Sequence, residues 1–172
     1  MSVELVFHVI ESLAVVIGVG FAIVQIRQYR RRKNREAALE LMHSFQSPSF
    51  AEALNLVYNL PDGLSREEVE GSLGEKFHLV YALMITWECL GILVCKGEVD
   101  LNLVDDFFSG PIKISWRKLQ GHVMGERELV GRDTIEEWFQ WLAEQLAERE
   151  SVIPRVPAHI AYKNWPKQPP LK

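Results

Sequence analysis

Residues 75–95 read EKFHLVYALMITWECLGILVC. Phe77, Leu79, Val80, Leu83, Met84, Ile85, Trp87, Leu90, Ile92, Leu93 and Val94 leave almost no polar face at helical period. A helix that is apolar all round is one that other elements enclose. A membrane crossing is the competing reading, but Glu75, Lys76, His78, Glu88 and Lys96 interrupt or flank the run. The uncharged stretch Leu79 to Trp87 falls well short of the roughly 20 residues that a crossing needs. The segment therefore reads as the central buried helix of a bundle, with Gly97 as its C-terminal stop.

Working outward, every strong signal is helical, and no segment shows a strand alternation. Ser47 and Pro48 supply an N-cap and a first-turn proline for a helix through about Tyr58, ended by Pro61, Asp62 and Gly63. Ser65 with Glu68 forms a capping box for a short helix. Asp100 caps a helix through Phe108 that Gly110 and Pro111 close, and a further helix runs from Ile112 to about Met124 with Trp116 and Leu119 inward. Thr134 and Glu137 make a second capping box, opening an amphipathic helix through Glu150 with Trp138, Leu142, Gln145 and Leu146 near one face. The expected fold is all-α.

The N-terminal part has a different chemistry. Leu5 to Val24 is mostly apolar, and Arg27, Arg30, Arg31, Arg32, Lys33 and Arg35 follow it directly. Such a run with its basic block reads as one membrane span, and no Lys or Arg precedes it, so the positive-inside bias puts the N-terminus outside and the rest in the cytoplasm. The charge order is the reverse of a signal peptide's. The six cations sit where anionic lipid headgroups lie and are read as lipid contacts. Ala37, Ala38, Leu41, Met42 and Phe45 continue the helical period out of this collar.

Polar and small residues within the span are arranged rather than scattered. Glu4, His8, Glu11, Val15, Gly18 and Ala22 follow one another in steps of four and three, which places them on a single helical face. His8, Glu11, Val15, Gly18 and Ala22 then form a seam for a second span or a second copy, since small residues let backbones approach closely. The alternative is that Glu4, His8 and Glu11 sit in the outer headgroup layer, with the span running from about Ser12 toward Tyr29.

Three regions follow: 1–35, the span and its basic collar; 36–152, one helical cytoplasmic domain; and 153–172, a proline-rich tail. Residues 36–172 hold 13 of the 19 Lys and Arg but 21 of the 23 Asp and Glu, and an acidic body does not attract nucleic acid. Cys89 and Cys95 match neither a CxxC pair nor a zinc spacing and read as core thiols, while five dispersed histidines form no HExxH or related pair. No catalytic residue, metal site or cofactor is therefore assigned. The tail, with Pro154, Pro157, Pro166, Pro169 and Pro170, should be extended, offering Tyr162 and Trp165 as anchors for docking.

Glu88 is the residue that stands out. A carboxylate in so apolar a helix needs a cation or several donors, and Arg127 and Arg117 are the candidates by type. It is either a tuned acid or a structural partner that holds two helices in register.

Trp87, Glu88, Leu90, Gly91, Leu93 and Val94, then Gly97, Val99 and Asp100, then Asp105, Phe107, Trp116 and Arg127, carry a resemblance over roughly residues 37–146. The pattern resembles a prokaryotic family of small membrane-anchored helical proteins, numbered 4760 among the domains of unknown function. The resemblance implies an N-terminal span in the inner membrane of a prokaryote and a helical cytoplasmic domain, and it implies no activity. The expected function is a membrane-tethered, non-enzymatic interaction or accessory-subunit protein whose partners are lipid, another protein or a second copy through the span. The alternative is an oligomeric membrane effector or sensor, of the kind used in prokaryotic defence, that responds to a cytosolic ligand such as a nucleotide second messenger.

Overall fold

A computed structural model describes residues 16–26, 28–29, 45, 47–152, 154 and 156–163. The elements are α1 (Val16–Ile26), α2 (Pro48–Asn59), α3 (Arg66–Leu73), a 3-10 turn (Gly74–Lys76), α4 (Phe77–Cys95), α5 (Leu101–Val130), α6 (Glu137–Val152) and α7 (Ala158–Ala161), with no strand among the described residues. The chain is all-α.

Helix starts follow their local chemistry. The Ser47 hydroxyl accepts from Phe50 N at 3.2 Å and Pro48 opens α2. Ser65 and Glu68 close the expected capping box, with Ser65 N donating to Glu68 Oε2 at 2.8 Å. Asp100 caps α5 through Asn102 N at 2.8 Å. α4 ends where Gly97 takes φ 70°, letting Glu98 N reach back to Leu93 O at 2.9 Å.

α4 is the axis of the bundle. It buries Val80, Leu83, Met84, Trp87, Leu90, Gly91 and Val94 against α2 on one side and α6 on the other. Trp87 is fully buried, edge-on to Phe50 with ring centroids 5.6 Å apart and stacked on Phe45 at 5.5 Å, with Phe108 of α5 completing the sleeve. Gly91 is there because α6 passes so close that a Cβ would stand 2.3 Å from the Trp138 carbonyl oxygen. α5 closes the other side against α6, α3 and α2, and Gly121 admits the Leu64 carbonyl in the same way, at 2.2 Å. The continuous helical segment Arg66–Cys95 is long and apolar enough to cross a membrane by length and composition, a test that the core helix of a soluble bundle also passes.

Four expectations are corrected. The break at Gly110 and Pro111 does not occur: α5 runs unbroken for 30 residues with Pro111 inside. Phe108, Ser109, Ile112 and Ser115 are buried on both sides of the proline, so packing holds the helix through a lost backbone bond. The inward face of α6 is Phe139, Leu142, Ala143 and Leu146, about one position round from the expected one, with Trp138 at its edge. Cys89 and Cys95 are exposed rather than core thiols, because α4 keeps one strip clear of its neighbours. In the tail, Ala158–Ala161 form a helical turn behind Pro157 instead of continuing extended, as a proline at a helix start permits.

Every residue of α1 is exposed, and nothing lies within 4 Å of a Cβ built on Gly18 or Gly20. Of the expected seam, Gly18 and Ala22 lie on this helix, while His8, Glu11 and Val15 lie outside the described residues, as do Arg27, Arg30, Arg31, Arg32, Lys33 and Arg35 of the basic collar.

Candidate functional site

The most unusual chemistry lies where α5 hands over to α6 beside α4. Gly131, at φ 69°, ends α5 by donating its N–H to Arg127 O at 2.8 Å. The chain then turns within residues 132–136 so tightly that Glu136 adopts φ 51°, a left-handed conformation uncommon outside glycine. Arg127 fastens this turn: its Nε donates to Ile135 O at 2.8 Å and its Nη1 to Gln140 Oε1 at 2.7 Å.

Thr134 does not cap α6. Its hydroxyl instead accepts from Arg132 Nε at 2.7 Å, and the helix takes its cap from another element. Glu88 of α4 reaches across and its Oε2 accepts from Phe139 N at 2.8 Å. A carboxylate at the first turn satisfies amides that the helix leaves open and lies at the positive end of its dipole. The partner of Glu88 is therefore a helix N-terminus rather than an arginine. Arg117 pairs with Asp62 at 3.3 Å, and Arg127 acts on Glu88 only through its charge.

Burial and the geometry of these groups set their protonation. Burial raises the Glu88 pKa above the usual carboxylate value, the Phe139 and Trp138 amides pull it back, Glu137 adds repulsion and Arg127 attraction. Glu136, only 7 % exposed, is pushed up to about 7 by burial and by the neighbouring Glu88, against the pull of Arg127. Its Oε2 has no hydrogen-bond partner, and neither has Arg127 Nη2.

Glu136 also forms one wall of a pocket of about 220 Å³. Phe77, Tyr81 and Met84 of α4 face it on one side, His122, Val123 and Glu126 of α5 on another, and Ile135 and Glu136 close it. His122 is 2 % exposed, its Nδ1 is without a partner, and burial holds its pKa below the usual value, favouring the neutral ring against the opposite pull of the Arg66 backbone, Glu126 and Glu70. Beyond the histidine, toward α3, ligating atoms of Glu70, His122 and Glu126 lie within 4.8 Å of one another. Arg66 pairs with both carboxylates there, its Nη2 standing 3.1 Å from Glu70 Oε1 and its Nε on Glu126. A neutral imidazole and a carboxylate titrating near 7 can exchange protons with a bound molecule. Among the described residues, no Ser, Thr, Cys or Lys lines this pocket to act as a nucleophile.

Of the candidate site residues singled out from sequence, Glu88 and its candidate partner Arg127 belong to this region. Tyr162 follows α7, with its side chain exposed, and borders a separate cleft with Asp105, Arg149 and Pro157; Trp165 lies outside the described residues. His122, Glu136, Glu70 and Glu126 were not anticipated. His122 and Glu126 are four apart on one helix, the spacing that aligns two side chains, and that was the one signal available. Glu136 had none, because its burial follows from a turn made by Arg127 and Gly131.

No curated protein and no solved structure matches the chain. The family model described as a domain of unknown function, DUF4760, matches residues 12–146, from within the N-terminal apolar stretch into α6, and the chain belongs to that family.

Proposed function

We propose that this protein is a membrane-tethered helical interaction module, held by its N-terminal apolar helix and presenting the bundle to a protein partner in the cytoplasm of a prokaryote. The observation that carries the reading is α1: Val16–Ile26 is apolar and exposed throughout, while the bundle completes its core without it. Exposed apolar surface of that extent marks a membrane or protein contact. The six cations after it supply the lipid-facing collar, and the positive-inside bias gives an N-out, C-in topology. α4 adds a second surface, the row Tyr81, Ile85, Cys89 and Leu93, four residues apart and all exposed, along which a partner helix can lie. No cofactor and no enzymatic step enter this reading.

Affinity purification of the full chain from native membranes tests it. The expected result is carbonate-resistant membrane association with a stoichiometric protein partner that Tyr81→Asp together with Ile85→Asp releases. A protein that washes from membranes at high pH, or one recovered alone, overturns it. Reporter fusions at both ends check topology, and a periplasmic signal from a fusion after Lys172 reverses the orientation.

The pocket between α4 and α5 favours a second reading, an oligomeric effector that responds to a small cytosolic ligand. Among the described residues its lining carries Glu126 and Glu136 and neither Lys nor Arg, which suits a cation and opposes an anionic nucleotide.

A further inference from the structure

We propose that Glu70, His122 and Glu126 form a binding site for a divalent transition-metal ion, zinc or manganese, in which Arg66 is the resident counter-ion that the metal displaces. The inference is independent of the membrane tether. It begins from the placement of the three side chains: Glu70 stands on α3, and His122 and Glu126 stand one helical turn apart on α5, with their ligating atoms within 4.8 Å of one another. Around an ion about 2.1 Å from each ligand atom, tetrahedral neighbours lie about 3.4 Å apart, so closure needs side-chain rotation on the order of 1 Å.

One observation beyond the clustering points to a ligand. His122 is 2 % exposed and its Nδ1 has no hydrogen-bond partner, which is costly for a buried polar atom and ordinary for a ligand that lacks its metal. An imidazole with two carboxylates is a mixed nitrogen and oxygen set that suits zinc and manganese better than magnesium or calcium, and three protein ligands leave a position open.

Arg66 answers the question of charge. Two carboxylates beside a buried imidazole would repel each other without a cation, and the guanidinium provides it, with Nη2 3.1 Å from Glu70 and Nε on Glu126. Its Nη1 is also 3.5 Å from Glu67, a side chain 75 % exposed. Glu67 is therefore an outer partner onto which Arg66 can swing while the two inner carboxylates turn to the ion. A divalent ion adds one positive charge over arginine and adds the imidazole as a ligand, so exchange gains coordination that a guanidinium cannot supply. The bound ion would clasp α3 to α5 and, through the continuous segment Arg66–Cys95, bear on the orientation of α4.

The test uses the purified full chain in detergent micelles, stripped with chelator, and titrated with zinc and separately with manganese by calorimetry, with metal content measured after dialysis. One ion per chain is expected in the wild type. Arg66→Met removes the competitor and should tighten binding at least tenfold, whereas Glu70→Gln and His122→Gln should each weaken it at least tenfold. Glu70 is at the surface of α3, so its variant stays folded if the buried His122 variant does not. Cobalt in place of zinc should give a visible absorption band that Glu70→Gln abolishes. Absence of binding in both wild type and Arg66→Met overturns the site, and so does equal affinity in wild type, Arg66→Met and Glu70→Gln, which would place the ion elsewhere.

Discussion

α1 and α4 are both apolar helices, and they meet opposite surroundings. α1 exposes every residue from Val16 to Ile26, with open space around Gly18 and Gly20. α4 buries seven residues, and the bundle is shaped around its small residue Gly91, its carboxylate Glu88 and its large ring Trp87. Gly91 admits the Trp138 carbonyl, Glu88 caps α6, and Trp87 has an aromatic sleeve. Length and apolarity alone do not separate them, since the segment Arg66–Cys95 is long and apolar enough to cross a membrane while the described part of α1 is shorter. A core helix is told from a candidate span by the way its exceptions are answered.

The sharpest way to break the comparison is to remove the answer at the centre of α4. Trp87→Ala leaves a large cavity between Phe45, Phe50 and Phe108 and should cost about 3 to 5 kcal/mol, enough to unfold a marginal bundle. Denaturation of the full chain in micelles, followed by helical circular dichroism, measures it. Loss of under 1 kcal/mol would mean that α4 is not the core.

Gly91→Ala comes next. A Cβ placed 2.3 Å from a backbone oxygen cannot be relieved by a flexible side chain, so α4 and α6 must part, at about 1 to 3 kcal/mol or more. Gly20→Ala on α1 is the matched control, with nothing within 4 Å to meet it, and should leave the bundle's stability unchanged. Equal effects at the two glycines would erase the distinction between the helices.

Protonation offers a finer probe of the α4–α6 junction. Glu136 titrates near 7 in the fold, raised from 4.5 by burial and Glu88. A carboxylate with a raised folded pKa binds more protons folded than unfolded, so stability falls as pH rises from about 4.5 to about 7 and the loss is complete above that. Glu136→Gln should flatten that slope and stabilise the protein at pH 8 by on the order of 1 kcal/mol. Stability that rises across the same window in wild type, or a slope unchanged in the variant, would show that Glu136 keeps its charge in the fold.

Much of the bundle was legible because the relevant physics is local. Ser47 with Pro48, Ser65 with Glu68, Asp100 and Gly97 act on backbone groups within a few residues of themselves, and each does in the fold what its sequence context implied. Pro111 and Thr134 carried equally clear local signals and were overruled by tertiary structure. Buried side chains on both sides of Pro111 keep α5 whole, and Glu88, 51 residues from Phe139, takes the capping role from Thr134. The pocket was illegible for the same reason. His122, Glu126 and Glu70 come together only when α3 docks on α5, and Glu136 is buried only because Arg127 ties down its turn. Glu88 was found by its oddity in an apolar run, though its partner was expected to be a cation and proved to be a helix end.

The smallest effect on the bundle should come from α1 itself, and it bears on what that helix is for. Gly18 and Ala22 are four apart on a helix exposed along its described length, so Gly18→Leu should change bundle stability by no more than about 0.5 kcal/mol. Its effect should appear between copies or between spans. Small residues at this spacing let two helices approach until their backbones are in contact, and a leucine there holds them apart. Cysteine scanning from 13 to 24 in native membranes reads this directly. Crosslinks that peak at 15, 18 and 22 and vanish in Gly18→Leu support a seam on that face. A flat profile, or peaks at 14, 17 and 21, leaves α1 as a lipid-facing tether and moves the search for self-association to the exposed row on α4.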